Sequence, residues 1–154
     1  MSDYLLLLFA VFLTVGTGLF VASEFAIINS DRAQLLADQA GGEKGLERPI
    51  KAIAKTSTHL SAAQLGITIT TLLTGFVAEP AITRLITPWL SQFDLVAGSI
   101  ETFSVVVAMT IATIFSFLIG ELVPKNMALA APKRVLKLVV GFQLGFTWLF
   151  SILV

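Results

Sequence analysis

A carboxylate inside a long apolar segment is the residue of this sequence best suited to bind a cation. Glu121 stands in the run GELVPK at positions 120–125, and an ionisable side chain within a membrane helix costs about 3 kcal/mol by insertion scales. Such a residue marks an ion path, a proton relay or an internal ion pair. Pro124 has no N–H to bond the Gly120 carbonyl, and its ring clashes with that carbonyl, so we expect it to break the helix. A charged and a neutral oxygen ligand would then lie side by side, as a site for a hard cation requires.

A stripe of polar and small residues in a second apolar segment could line the same site. Its members are separated by 4, 3, 4, 3 and 4 residues and therefore share one helical face: Ser57, Ser61, Gln64, Thr68, Thr71 and Gly75. A shorter stripe leads directly to Glu121, and we expect the two stripes to face each other: Met109, Thr113, Ser116 and Gly120. Such residues also form ordinary packing seams between membrane helices, so the longer stripe is either a packing face or the lining of an ion site.

Ser23, in the first apolar segment, should lie at the same depth as Glu121. It follows the start of its span by 19 residues, and Glu121 follows Phe103 by 18, in two segments that enter the membrane from the same side. Thr68 and Thr71 run the opposite way and would lie about 14 to 18 Å from the start of their span, at about 1.5 Å per residue. Three helices can therefore converge on one polar point, which contains Ser23, Thr68, Thr71, Gly120 and Glu121.

Each of these residues also has an ordinary structural explanation. Ser23 could be a packing serine, and Glu24, near the end of its helix, could reach water or a cytoplasmic cation. Glu121 could form an intrahelical ion pair with Lys125, four residues further on, although a helix break at Pro124 would disfavour that pair. The carboxylate at position 121 is therefore either a cation ligand or half of an ion pair.

The composition is that of an integral membrane protein. Of 154 residues, 56% are hydrophobic and only 13% are charged, which is outside the usual range for a soluble domain. The net charge is zero and gives no indication of a nucleic-acid partner, so we expect none. The absence of cysteine excludes a thiolate metal site. The sequence has no glycine-rich phosphate loop and no paired nucleophile and base, and we expect no enzymatic activity.

Three segments are long enough to cross a bilayer about 30 Å thick, at about 4–28, 59–78 and 100–123. The stretch 29–58 between the first two holds five of the ten basic residues, which places it in the cytoplasm by the positive-inside rule. The connection 79–99 has only Arg84 against Glu79 and Asp94, so it and the N-terminus belong outside. We therefore predict an all-α integral membrane protein with three transmembrane helices.

Shorter helices are predicted at three further places. Within 29–58, apolar residues recur at helical spacing, and Gly41-Gly42 indicates a break between two short helices. The spacing of apolar residues over 82–89 predicts a separate short helix on the outer surface. The segment 132–154 begins with Pro132 and two cations and becomes apolar from Leu138. It could cross the membrane, but we expect a juxtamembrane helix in the inner interface, with the C-terminus in the cytoplasm.

Four motifs in this order resemble the transmembrane domain of the CorC/CNNM (cyclin M) magnesium transporters, in particular the HlyC/CorC-type bacterial members. They are VASEFA at 21–26, QLGIT at 64–68, EP at 79–80 and GELVPK at 120–125, and the resemblance spans nearly the whole chain. It implies a homodimer of three-span subunits in the inner (plasma) membrane, with a belt of juxtamembrane helices. It also implies CBS domains after residue 154, and ATP would bind only to those domains.

The resemblance implies export of Mg²⁺ driven by Na⁺, with the ion held by Ser23, the Gly120 carbonyl and Glu121. Many members of the family carry asparagine at the positions of Ile67 and Thr71, so a threonine of the second span would have to replace an amide oxygen. We therefore predict a Mg²⁺ site formed by Ser23, Thr68, Thr71, Gly120 and Glu121. One carboxylate balances only half the charge of Mg²⁺, so Glu24, a helix dipole or a second subunit must supply the rest.

Two other functions fit the same residues. In the first, the chain is a regulatory or scaffold module of the membrane that transports nothing, and Glu121 pairs with Lys125. In the second, the chain exports polyamines, as the resemblance to some bacterial members of the family also implies. Polyamine export would need a wider cavity with aromatic walls.

Overall fold

A computed structural model describes residues 2–92 and 100–152, and over these ranges the chain forms helices and no strands. Six helices follow one another in the described ranges: α1 Asp3–Asn29, α2 Arg32–Ala40, α3 Glu47–Ala54, α4 Thr56–Leu90, α5 Ile100–Ala130 and α6 Pro132–Leu149. Three of them, α1, α4 and α5, are long and apolar enough to cross a membrane. The predicted all-α class with three spans is confirmed, and the chain is a multi-pass membrane protein that lies in a lipid bilayer.

Helix α4 is longer than the sequence pattern suggested. It runs for 35 residues through both Pro80 and Pro88, so the prediction of a separate short helix over 82–89 is wrong. Membrane helices tolerate proline more readily than helices in soluble domains do. The apolar spacing of 82–89 therefore continues the period of the same helix. Residues 93–99, which include Asp94 of the predicted outer connection, lie outside the described residues.

Helix α5 continues through Pro124, contrary to the expected break. Its α-helical part Ile100–Phe115 is followed by a π-helical segment, Ser116–Leu122, and then by α-helix again over Val123–Ala130. The N–H of Val123 bonds the Leu118 carbonyl, five residues back. Pro124 then occupies the first turn of the following α-helical part, where a missing N–H costs least. The chain adapts to the proline by widening one turn, and π segments of this kind occur often at functional sites.

Helix α1 packs closely against both other spans. A Cβ added to Gly18 would lie 3.0 Å from Pro124 Cγ and 3.3 Å from the Ile119 carbonyl oxygen, so α1 and the π segment of α5 nearly touch there. The Thr17 hydroxyl bonds the Thr70 hydroxyl of α4 at 2.7 Å. Small residues at such contacts let membrane helices approach each other closely. These contacts fix the three spans relative to one another.

Helices α2, α3 and α6 gather at one end of the three spans, which we call the loop end. The predicted break between the two short helices is present, and Gly42 there has a left-handed φ of +96°. Helix α6 is not one of the three helices suited to crossing a membrane and instead packs on α1, α3 and α4. The fully buried Gln143 amide donates to the His59 carbonyl at 2.8 Å, which ties α6 to the start of α4.

A group of charged residues joins α6 to the connection between α2 and α3. The Lys133 ammonium lies 2.8 Å from an Asp38 oxygen and 2.6 Å from a Glu43 oxygen, and Lys137 lies 3.1 Å from Glu43. Hydrogen bonds from Lys133 and then Lys137 lower the pKa of Glu43, whereas those to Asp38 and then Glu43 raise the pKa of Lys133. These ion pairs join the connection between α2 and α3 to α6.

We expect Gly66→Ala to destabilise the fold, because an added Cβ would lie 2.5 Å from ring atoms of Phe20. That ring cannot move aside easily, since it packs against Phe142 and Phe146 with centroids 4.7 and 4.6 Å away. Overpacking of this kind costs about 1 to 3 kcal/mol. Thermal unfolding of the purified protein in detergent should show a lower midpoint.

Gly75→Ala is the matched control, because it makes the same change on the same helix at a position where an added Cβ has nothing within 4 Å. Equal midpoints for the two variants would contradict the close packing of α4 on Phe20.

Candidate functional site

A cavity of about 920 Å³ lies among α1, α4 and α5. Its polar lining comes from all three helices: Thr17, Glu24, Gln64, Thr71, Thr74, Glu79, Thr113, Ser116 and Glu121. Among the described residues no lysine or arginine lines it. The cavity therefore offers carboxylate, amide and hydroxyl oxygens within membrane-spanning helices, and these are the ligands that hard cations prefer.

The structure brings together two of the five residues predicted to form the site. Thr71 and Glu121 line the cavity, and Ser23, Thr68 and Gly120 lie outside its lining. The hydroxyls of Ser23 and Thr68 each donate to a carbonyl four residues back in their own helices, at 2.8 and 2.9 Å. Gly120 is buried against α1, where the position of its Cβ faces Thr14 and Thr17. The five residues do not converge on one point in this conformation.

Glu121 faces the cavity together with part of the polar stripe on its own helix. Met109, Thr113 and Ser116 line the cavity opposite residues of the α4 stripe, which are Gln64, Thr71 and Gly75. The prediction that the two stripes face each other is confirmed for these members. The π segment carries both Ser116 and Glu121, so the widened turn sets the direction in which the carboxylate points.

Glu24 is a cavity residue whose role the sequence left open. Its carboxylate lies beside the Gln64 amide within the cavity, and it is only partly exposed. Neighbouring residues on an α-helix are about 100° apart around the axis, and this rotation turns Ser23 into the packed side of α1 and Glu24 into the cavity. Gln64 can donate to Glu24 and still offer its amide oxygen to a cation.

Lys125 does not form the ion pair with Glu121 that the sequence allowed. Its Nζ lies 4.7 Å from the centroid of the Phe25 ring, a cation–π contact. In the described ranges the ion pairs join Arg84 to Asp3 and the two lysines of α6 to acids of the loop end, and none involves Glu121. Phe25 lines the cavity, so its ring holds the ammonium near the site without neutralising the carboxylate.

The three carboxylates of the cavity are too dispersed to bind one ion together. Within the part of the chain that the structure describes, no three acidic, histidine or cysteine side chains are grouped closely enough to hold a metal ion. A cation in the cavity would therefore take one or two carboxylates and complete its coordination with hydroxyl, amide and water oxygens. Mg²⁺ is usually bound in this way, since it gives up its waters reluctantly.

Comparisons with known proteins point to one family. The family model described as the cyclin M (CNNM) transmembrane N-terminal domain matches residues 8–154. UPF0053 protein MT1890 of Mycobacterium tuberculosis is 42% identical over 142 residues, which cover 90% of this chain and 30% of that protein. UPF0053 proteins YhdT and YhdP of Bacillus subtilis are 34% and 33% identical over 125 and 147 residues. Those matches cover 81% and 96% of this chain and 27% and 32% of the relatives, so the chain spans about a third of the length of these proteins.

We expect Phe25→Leu to weaken cation binding in the cavity. Loss of the ring removes a cation–π contact of about 1 kcal/mol and frees Lys125 to pair with Glu121, four residues before it. A contribution of that size corresponds to about a fivefold rise in the dissociation constant. Calorimetric titration of the purified protein with Mg²⁺ measures this dissociation constant.

Phe25→Tyr keeps the ring and should bind as the unmodified protein does, and Lys125→Gln added to Phe25→Leu should restore affinity. If Phe25→Leu binds Mg²⁺ as tightly as the unmodified chain, the ring does not restrain Lys125.

Proposed function

This chain belongs to the cyclin M (CNNM) transmembrane family, and on that basis we propose that it carries Mg²⁺ across the membrane through the cavity among α1, α4 and α5. The observation that carries the proposal is the lining of that cavity, which in the described ranges holds three carboxylates and no basic side chain. A carboxylate at membrane depth is costly unless it serves an ion path or finds a partner. Glu121 has no cationic partner among the described residues.

Glu121 and Glu24 are the proposed charged ligands, because together they balance the two charges of the ion. Gln64 and Thr71 would add neutral oxygens, and water would complete an octahedron with distances of about 2.1 Å. The other predicted ligands, Ser23, Thr68 and Gly120, would join only after a rearrangement of the helices, since in this conformation they lie outside the cavity lining. Such a rearrangement is what an alternating-access transporter would undergo around a fixed site.

A homodimer would complete the site. Glu121, Gln64 and Thr71 are exposed in the single chain, and a carboxylate facing lipid would be costly. Large apolar side chains lie beside them on α4, where Leu72 is 69% and Phe76 82% exposed. We propose that a second copy covers this side of α4 and α5, which would keep the cavity in contact with water and protein rather than with lipid.

The distribution of basic residues supports one orientation of the chain in the membrane. The ion pairs of Lys133 and Lys137 place the basic stretches 32–55 and 125–137 at one end of the spans. By the positive-inside rule that end lies in the cytoplasm and the N-terminus lies outside. In this orientation, in the inner (plasma) membrane, we propose export of Mg²⁺ in exchange for Na⁺, without enzymatic activity in this domain. CBS domains that bind ATP are proposed to follow this domain.

Polyamine export is the second candidate, because two phenylalanines, Phe25 and Phe117, line the cavity together with carboxylates spread along it. An extended polycation could contact several such carboxylates in turn. The alternative of a module that transports nothing has no comparable support, since the Glu121–Lys125 pair on which it depended is not formed.

We expect Glu121→Gln to abolish most Mg²⁺ binding and transport. The amide keeps the shape of the side chain and removes the charge, and loss of a contact with a charged ligand costs about 1.5 to 3 kcal/mol. The dissociation constant should therefore rise about tenfold or more. Calorimetry measures binding, and efflux of Mg²⁺ from sealed proteoliposomes under an imposed Na⁺ gradient measures transport.

Glu101→Gln is the matched control, because Glu101 is an exposed acid on the same helix that does not line the cavity. Flux of putrescine, measured in the same vesicles, separates the two candidate substrates. Unchanged binding and flux of Mg²⁺ in Glu121→Gln would rule out the proposed role of this residue.

A further inference from the structure

Glu79 lies at the far end of the cavity from Glu24 and Gln64. Gln64 and Glu79 both line the cavity from α4 and are fifteen residues apart, which corresponds to about 22 Å at about 1.5 Å per residue. The hydrocarbon layer of a bilayer is about 30 Å thick, so the cavity extends over most of it. The sequence motif Glu79-Pro80 therefore places a third carboxylate in the cavity, remote from Glu24.

The charge of Glu79 is not neutralised by a basic side chain. Arg84 is the one lysine or arginine between positions 56 and 124, and its Nε is bound to the Asp3 carboxylate at 2.8 Å. In residues 2–92 and 100–152, Glu79 takes part in none of the ion pairs. Glu79 is thus a half-buried carboxylate in a membrane-spanning helix that faces a cavity and has no basic partner among the described residues.

The local structure holds this carboxylate in place and leaves ligand capacity free. The Thr83 hydroxyl donates to Glu79 Oε1 at 3.0 Å, so the second oxygen and further lone pairs stay available. The proline at position 80 cannot donate to the Phe76 carbonyl, one turn earlier on the same helix. The Phe76 carbonyl therefore lacks its usual helical donor and remains able to accept a hydrogen bond or a cation contact.

We propose that Glu79 is a second cation station, which binds the transported divalent ion in a partly hydrated form at the end of the cavity away from the loop end. This inference rests on the proposed transport function. Glu79 lies about 22 Å along α4 from the Gln64 end of the cavity, so one ion cannot contact both ends at once. An ion that leaves Glu24 and Glu121 can therefore pause at Glu79 and recover waters before it enters bulk solution.

Mn²⁺ is the probe that tests the station, because its free form is counted directly by electron paramagnetic resonance. The unmodified protein in detergent should bind Mn²⁺ at two classes of site. Glu79→Gln should lose the class of site at Glu79 and keep the class at Glu24 and Glu121. Glu121→Gln should show the reverse. In proteoliposomes, Glu79→Gln should slow Mn²⁺ flux at least severalfold.

Thr83→Val is the second variant, which removes the hydrogen bond to Glu79 and keeps its charge. It should weaken the same class of site by a smaller factor, and it provides the test if Glu79→Gln does not fold. Glu101→Gln, which changes an exposed acid of α5 outside the cavity, should leave both classes unchanged.

Failure of the station at Glu79 and failure of the transport function give different results. If the unmodified protein transports Mn²⁺ but Glu79→Gln and Thr83→Val bind and transport it at the unmodified level, the station at Glu79 is overturned and the transport function stands. If the unmodified protein neither binds nor transports Mn²⁺ or Mg²⁺, the proposed function itself fails.

Discussion

The cost of placing a charge within a membrane is the constraint on which this structure depends. Three apolar spans each bring one carboxylate to a shared cavity, Glu24 from α1, Glu79 from α4 and Glu121 from α5. None of them has a basic partner in the described residues. Because such groups are costly at membrane depth unless water, ions or polar groups surround them, these carboxylates require the polar neighbours and the open space that the cavity provides.

The packing of α1 explains how a cavity can exist among three closely associated helices. On one side α1 nearly touches the π segment of α5 at Gly18 and touches α4 at Gly66. These contacts bring the backbones together and leave the bulkier, more polar faces apart. The π segment adds a widened turn just before Pro124, which directs Glu121 into the remaining space. Lys125, which could have neutralised that carboxylate, is held instead by the Phe25 ring.

The sequence predicted the parts of this arrangement that follow from local pattern. Long apolar segments identified the three spans, and polar stripes at helical spacing identified the facing surfaces that contain Thr71 and Glu121. The response of the backbone to proline was not predictable in this way, because it depends on neighbours: α5 widens where Gly18 of α1 makes room for Pro124. Neighbouring residues on a helix point in directions about 100° apart, so Glu24 faces the cavity and Ser23 does not. The depth of a residue along its helix does not predict that direction. The sequence pattern ends the second span near position 78 and so assigns Glu79 to an outer connection, whereas α4 continues to Leu90.

Imaging the bound ion tests the central claim most directly. A structure of the protein in a lipid environment with Mg²⁺, repeated with Mn²⁺ to identify the ion by anomalous scattering, would locate the site. The account predicts density in the cavity about 2.1 Å from a Glu121 carboxylate oxygen, with about six oxygen ligands that include water. Density confined to the acidic residues of the loop end, with Lys125 bound to Glu121, would contradict it.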